Sequence, residues 1–237
     1  MEATKGGGRM HRIADEAMRY LGAGGDGAST ASGQALRAQV EKTLAELSST
    51  PPRYTLTICE VQPGALVSPA GQRIPTPGTL AQKMLDHCES AAALVCTLGA
   101  DFDAKLLQLQ HRSMADAVIL DACGSAWVEH GCDEAEIVLR SKFPGKHFTA
   151  RFSPGYGDLP LQIQPDFLTA TSAMTRLGVT VNDRCLMSPR KTVTAIIGIS
   201  DAPMEPSHTK NCAACPLREG CIARESGRTC TEERINT

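Results

Sequence analysis

Aromatic residues are scarce in this chain: 4% of 237 residues, with one Trp, three Tyr and five Phe. Few rings are on hand to stack on bases, and a formal net charge of -2 gives no basic field for nucleic acid or for an anionic membrane surface. Long apolar runs are also missing. The longest nearly uncharged one, residues 91–100, is about half of what a bilayer span needs. Residues 1–10 set Glu2, Lys5 and Arg9 around a Gly triplet with no apolar core, so no secretory signal is expected and the default location is the cytoplasm. No G-x-G-x-x-G follows a strand, and G-x-x-x-x-G-K-[ST], H-E-x-x-H and G-x-S-x-G are all lacking. Dinucleotide, P-loop, zincin and hydrolase-elbow chemistries therefore find no support.

What is present is an ordinary globular composition, 42% apolar and 21% charged, at a length suited to one domain with a small appendage. Apolar periodicity predicts helices over residues 13–21 and 34–47, separated by a Gly-rich connector at 22–33. Alternation predicts a strand over 53–61, and a buried strand is expected over 91–98. Between them, residues 63–78 read as loop, with a short strand at Leu66 and Val67 as the alternative there, and 79–88 as helix. Asp101 is expected to cap a helix to about residue 110, and Ser113 a longer one to about residue 130, with 132–140 as a further helix. Small residues Ala122 to Ala126 give the longer helix a face that admits close approach. A short helix from Pro165 and a β-branched strand over 192–200 follow. Helices and strands mix without βα alternation, which predicts an α+β domain with a mostly antiparallel or mixed sheet. The predicted divisions are 1–33 (helix and linker), 34–202 (core) and 203–237 (cysteine-rich tail).

The ten cysteines fall into two groups. Cys59, Cys88, Cys96, Cys123, Cys132 and Cys185 are scattered, mostly among apolar neighbours, and read as small core residues. Cys212, Cys215, Cys221 and Cys230 crowd the tail in a C-x2-C-x5-C-x8-C spacing. Thiolates are soft ligands for zinc or iron, and a C-x-x-C pair sets two sulfurs on one turn. A metal or iron–sulfur site, a redox dithiol and incidental cysteines are the three readings of this group. Arg218, Arg224 and Arg228 would lower thiolate pKa there, and His208 reads as a loop histidine that could replace one thiolate.

A second segment carries chemistry: Arg151-Phe152-Ser153-Pro154-Gly155-Tyr156-Gly157-Asp158. Pro154-Gly155 presets a tight turn that lets main chain approach a ligand. Arg151 offers a planar fork of donors for a carboxylate or phosphate, and Tyr156 a ring with a polar tip. A surface turn with a structural arginine is the plain alternative.

R-x-x-P-G-Y closely resembles the S-adenosylmethionine-binding motif of the activation domain of cobalamin-dependent methionine synthase. Residues 186–194, Leu-Met-Ser-Pro-Arg-Lys-Thr-Val-Thr, look like that domain's Met-x-Pro-x-x-Ser-Val-Ser stretch, with Thr for both Ser. The small-residue helix from Leu120 to Glu129 is similar to the one preceding the motif. The resemblance spans roughly residues 13–200. It implies the family's fold and a role in reactivating an oxidised corrinoid. S-adenosylmethionine is held over the cobalt, one electron from a reducing partner of flavodoxin or ferredoxin type reduces the metal, and the sulfonium methyl is transferred. By position, Arg151 would grip the ligand carboxylate, and the main chain at Ser153 and Gly155, shaped by Pro154, would bond its polar groups. Tyr156 would pack near the reacting centre as the catalytic candidate. Glu129 would attract the ligand's positive groups, or else be a solvated helix carboxylate.

This chain departs from the family in two ways. The aromatic pair that usually follows Ser-Val-Ser-Gly is replaced here by Ala195-Ile196-Ile197-Gly198, and the D-x-H-x-x-G cobalamin signature is lacking. The resemblance then implies a stand-alone protein acting in trans on a cobalamin-dependent methyltransferase or corrinoid protein. A reductive role tilts the tail towards a [4Fe-4S] cluster, with zinc the alternative. The rival from another class is a non-catalytic zinc-knuckle interaction module with a degenerate ligand pocket.

Overall fold

The computed structural model describes residues 3–23 and 30–203. The strands are β1 (Arg53–Gln62), β2 (Ala65–Val67), β3 (Arg73–Pro75), β4 (Ser90–Thr97), β5 (His147–Phe148), β6 (Thr180–Val181), β7 (Met187–Ser188) and β8 (Thr192–Ser200). Six of them form one curled sheet in the order β3-β2-β1-β4-β8-β5, while β6 and β7 make a separate hairpin. Every pairing is antiparallel, so of the two sheet types expected the purely antiparallel one is found. β4 lies between β1 and β8, with Leu94 opposite Leu56 on one side and Ala195 on the other. Both faces of β4 are covered, which is why its sequence is a continuous apolar run rather than an alternation.

One face of the sheet packs against long helices: α1 (Ala3–Tyr20), α2 (Ala31–Leu47), α4 (Ala100–Arg112) and α5 (Met114–Lys142). Leu94, Cys96 and Leu98 meet Met18, Val40, Leu44, Phe102, Leu120, Trp127 and Cys132 in one cluster. The other face holds Ala91, Ala93, Val95 and Ile196. It is covered by short elements: α3 (Thr79–Leu85), a 3-10 turn (Leu161–Ile163), α6 (Gln164–Ala170) and α7 (Ala173–Leu177). Phe167, fully buried, is with Phe152 one of the two largest side chains of that cluster.

Several boundaries differ from the expected ones. α5 is one uninterrupted helix of 29 residues, because nothing between residues 130 and 132 breaks it: Gly131 sits over Pro52 and Cys96, where a Cβ would meet Pro52 Cβ at 2.4 Å. Asp101 lies inside the first turn of α4 and does not cap it; Gly99, at φ 82, holds the cap position without a side-chain bond. Ser113 does cap α5, its hydroxyl accepting from the Asp116 N–H. Thr30 caps α2 through the Gly33 N–H, which brings residues 31–33 of the expected connector into the helix. α1, set apart with the linker on sequence grounds, buries Ile13, Ala14, Ala17 and Met18 in the same cluster as α5. Of the six scattered cysteines five are buried, whereas Cys185 is half-buried in a turn at φ 60. The tail cysteines, Cys212, Cys215, Cys221 and Cys230, lie outside the described residues.

Candidate ligand site at the bend after β5

Beyond β5 the chain keeps following the edge of β8. The Thr149 N–H bonds Gly198 O, and Phe152 exchanges two hydrogen bonds with Ile196. Successive residues on such an edge point to opposite faces. Phe152 therefore enters the cluster under the short elements, while Arg151 turns to α5. The bend that follows is tied by Tyr156 N–H to Ser153 O and by Gly155 N–H to Leu159 O. Gly155 sits at φ 92 with Leu161 packed where a Cβ would stand, 2.9 Å away, so a side chain there is excluded on both backbone and steric grounds. Asp158 leaves the bend to cap α3. Its carboxylate accepts from Thr79 N at 2.6 Å, Leu80 N at 3.0 Å and Thr79 Oγ1 at 2.8 Å, which holds its pKa below the ordinary range.

Arg151 is the electrostatic centre of the region. Nη1 donates to Asp133 Oδ1 at 2.7 Å and to Glu136 Oε1 at 2.6 Å, and Nη2 donates to Glu129 Oε2 at 2.6 Å. Its side chain is only 13% exposed. Burial pushes the guanidinium pKa down, but the Cys132 thiolate and the three carboxylates push it up by more. Cys132 itself titrates well above its ordinary value, chiefly through its hydrogen bond with Cys96, so at neutral pH the carboxylates carry the effect. Arg140 lies 3.6 Å from Glu136, so two guanidinium groups against three carboxylates leave the cluster one negative charge in excess.

The carboxylates belong to a polar stripe along α5, with Asp121, Ser125, Glu129, Asp133 and Glu136 at intervals of four or three residues. At its other end Lys191, just before β8, donates to Ser125 Oγ at 2.8 Å and pairs with Asp121 at 2.9 Å. At the Lys191 end of the stripe an open cleft of about 260 Å³ is lined by Tyr20, Ser125, Val128, Glu129, Arg190 and Lys191 among others; Arg151 does not line it. Burial, with Glu16 and Glu129 nearby, pushes the Tyr20 hydroxyl up to about 12.

The structure thus joins two of the residues singled out in the sequence, Arg151 and Glu129. Pro154 is buried beneath the bend, and Tyr156 stands 43% exposed on its rim with no hydrogen bond to either among the described residues. At the two main-chain positions expected to meet a ligand, Ser153 O and Gly155 N–H are engaged within the bend. Ser153 N–H and Gly155 O make no hydrogen bond among the described residues. Sequence reasoning missed Asp133, Glu136, Lys191 and Tyr20. The acidic spacing of 129, 133 and 136 on a helix was a signal for the first two, and Lys191 stood within the family-like stretch 186–194; nothing local marked Tyr20. Among the described residues no group of three His, Cys, Asp or Glu is arranged to hold a metal ion, and no helix is long and apolar enough to cross a membrane.

No family model and no curated protein matches this chain. Among solved structures it is similar to the MetH reactivation domain bound to AdoHcy. The TM-score is 0.59 at 14% identity, over 95% of this chain and 85% of that one. The α+β architecture described above, a curled antiparallel sheet flanked by helices, is the fold of that reactivation domain.

Proposed function

We propose that this chain binds S-adenosylmethionine beside Arg151 and uses it to remethylate the corrinoid of a separate cobalamin-dependent methyltransferase. The observation that carries the reading is the Arg151 cluster, a buried guanidinium under a Pro-Gly-Tyr bend with carboxylate charge in excess. It occurs in a fold whose solved neighbour holds AdoHcy. S-adenosylmethionine brings a carboxylate for the guanidinium, and an ammonium and a sulfonium for the acids. Ser153 N–H and Gly155 O supply one donor and one acceptor from the main chain. The cleft beyond Glu129 offers the nucleoside apolar walls from Tyr20, Val128 and Val193.

In the reaction, one electron from a flavodoxin or ferredoxin type partner reduces the partner-bound cobalt. The methyl then leaves sulfur for the metal, and S-adenosylhomocysteine departs one positive charge poorer. Loss of that charge weakens its hold on a net acidic site, which favours product release. One charge at about 4 Å is worth roughly 1 kcal/mol at a water-like dielectric and about 4 kcal/mol at an effective value near 20. Tyr156 and Leu161, exposed on the rim, would face the corrinoid protein. The tail cysteines, Cys212, Cys215, Cys221 and Cys230, would hold a [4Fe-4S] cluster or zinc.

The test is titration calorimetry with both ligands, followed by anaerobic mixing of the protein, a reductant, a cob(II)alamin-loaded methyltransferase and methyl-labelled S-adenosylmethionine. Label on cobalt and tighter binding of the sulfonium ligand than of S-adenosylhomocysteine are expected. No binding of either ligand, together with a colourless zinc protein, would return the interaction-module reading.

A further inference from the structure

A guanidinium has two bidentate edges, one formed by both terminal nitrogens and one by Nε with the Nη2 beside it. In Arg151 both N–H groups of Nη1 are spent, one on Asp133 and one on Glu136. Nη2 gives a single bond to Glu129, and Nε makes no hydrogen bond among the described residues. The Nε–Nη2 edge is therefore the one left for a ligand.

We infer that Asp133 and Glu136 are positioning residues, which clamp Nη1 so that the Nε–Nη2 edge of Arg151 faces the ligand's carboxylate. The inference rests on the binding reading above and adds the residues that aim its central cation. Two acceptors from neighbouring turns of α5 on one nitrogen fix the plane of the fork as well as its place. A long side chain with many rotamers is thus oriented before the ligand arrives. Glu136 is itself braced: its side chain is 19% exposed, its second oxygen lies 3.6 Å from Arg140, and Arg140 stacks 4.7 Å over the Phe148 ring. Without this clamp Arg151 would turn to pair both nitrogens of an edge with Glu129, the nearest remaining carboxylate, and so consume the donors that the ligand needs.

The experiment compares wild type, Asp133→Asn and Glu136→Gln by calorimetry with S-adenosylmethionine and with its decarboxylated analogue. Loss of a residue that orients a metal ligand typically costs about tenfold to a hundredfold, and a loss of that order is taken as the measure for an oriented guanidinium. That loss is expected for S-adenosylmethionine, larger for Glu136→Gln than for the more exposed Asp133→Asn. The analogue has no carboxylate to aim but keeps both positive groups, so the lost charge should weaken it by a smaller factor than it weakens S-adenosylmethionine, and its remaining binding reports that each protein is folded. Unchanged affinity for S-adenosylmethionine, or an equal fall for both ligands, overturns the inference while leaving the binding reading standing. A wild type that binds neither ligand overturns both. If a neutral variant does not fold, Asp133→Glu and Glu136→Asp replace it. These keep the charge but move the oxygens, and the expected result is a loss confined to the ligand with a carboxylate.

Discussion

Leu94, Cys96 and Leu98 of the β4 region meet helices of 13 to 29 residues, whereas Ala91, Ala93 and Val95 of the same strand meet helices of five to seven. The long helices carry their own specification. Apolar residues recur on one stripe, and Thr30 and Ser113 supply side-chain caps for α2 and α5. Helices of five to seven residues are too short to persist alone. They are held instead by tethers from outside: Asp158 on the start of α3, and the buried Gln164 amide on the Thr194 hydroxyl. Arg53 donates to Leu177 O at the end of α7, and Arg176 donates to Thr55. The candidate site lies along the seam, where the edge segment after β5 sends Arg151 to the long-helix face and Phe152 to the other.

The largest effect is expected where the short-element face depends on one side chain. Phe167→Ala empties the centre of that cluster and should cost about 3–5 kcal/mol, read from urea unfolding. Leu120→Ala, fully buried on the helix face, belongs to a class costing about 2–5 kcal/mol. Hydrogen exchange sharpens the contrast. In Phe167→Ala, protection should fall first in α6 and α7, while α5 keeps its own until global unfolding. Simultaneous loss across both faces would break the distinction.

This division also decides what could be read in advance. The stripe of Leu36, Val40, Leu44 and Leu47, the run at residues 91–98 and the β-branched strand at 192–200 are each specified by neighbours within one element. Their positions accordingly agree with the structure to within a few residues. The path from residue 149 to 188 is specified by contacts over 30 to 124 residues of sequence separation, such as Thr194 with Gln164 and Arg53 with Leu177. No local pattern encodes those. At the site the same limit applies. Arg151, Glu129 and the Pro-Gly bend were visible in the sequence, whereas Asp133 and Glu136 became apparent as partners of Arg151 only once the edge segment was laid across α5.

A smaller effect is expected at the closest helix approach. Gly124 of α5 lies against the Phe102 ring of α4, where a Cβ would fall 2.2 Å from the ring. In a helix interior Gly→Ala ordinarily stabilises by up to about 1 kcal/mol. Here the sign should reverse, because overpacking of this kind costs about 1–3 kcal/mol. The melting temperature of Gly124→Ala should fall; a rise would mean that α4 and α5 separate freely, and that the helix face is less tightly built than its partner.

The least effect is expected at the exposed tether between the bend and α3, and it carries a pH signature. The Asp158 pKa is lowered first by the Leu80 N–H, then by the Thr79 N–H and hydroxyl. A carboxylate whose folded pKa is depressed contributes stability above its unfolded pKa and loses that contribution as pH falls through the folded value. Asp158→Ala should therefore melt below wild type at neutral pH, with the gap constant down to about pH 4, the ordinary carboxylate range. Below that range the two melting curves should converge. A gap that persists unchanged into strong acid would mean that the side chain acts by packing against Gly78, 2.7 Å from where a Cβ would stand, rather than as a charged cap. In that case the short-element face would owe its order at this point to shape, and the contrast with the capped long helices would lose one of its four supports.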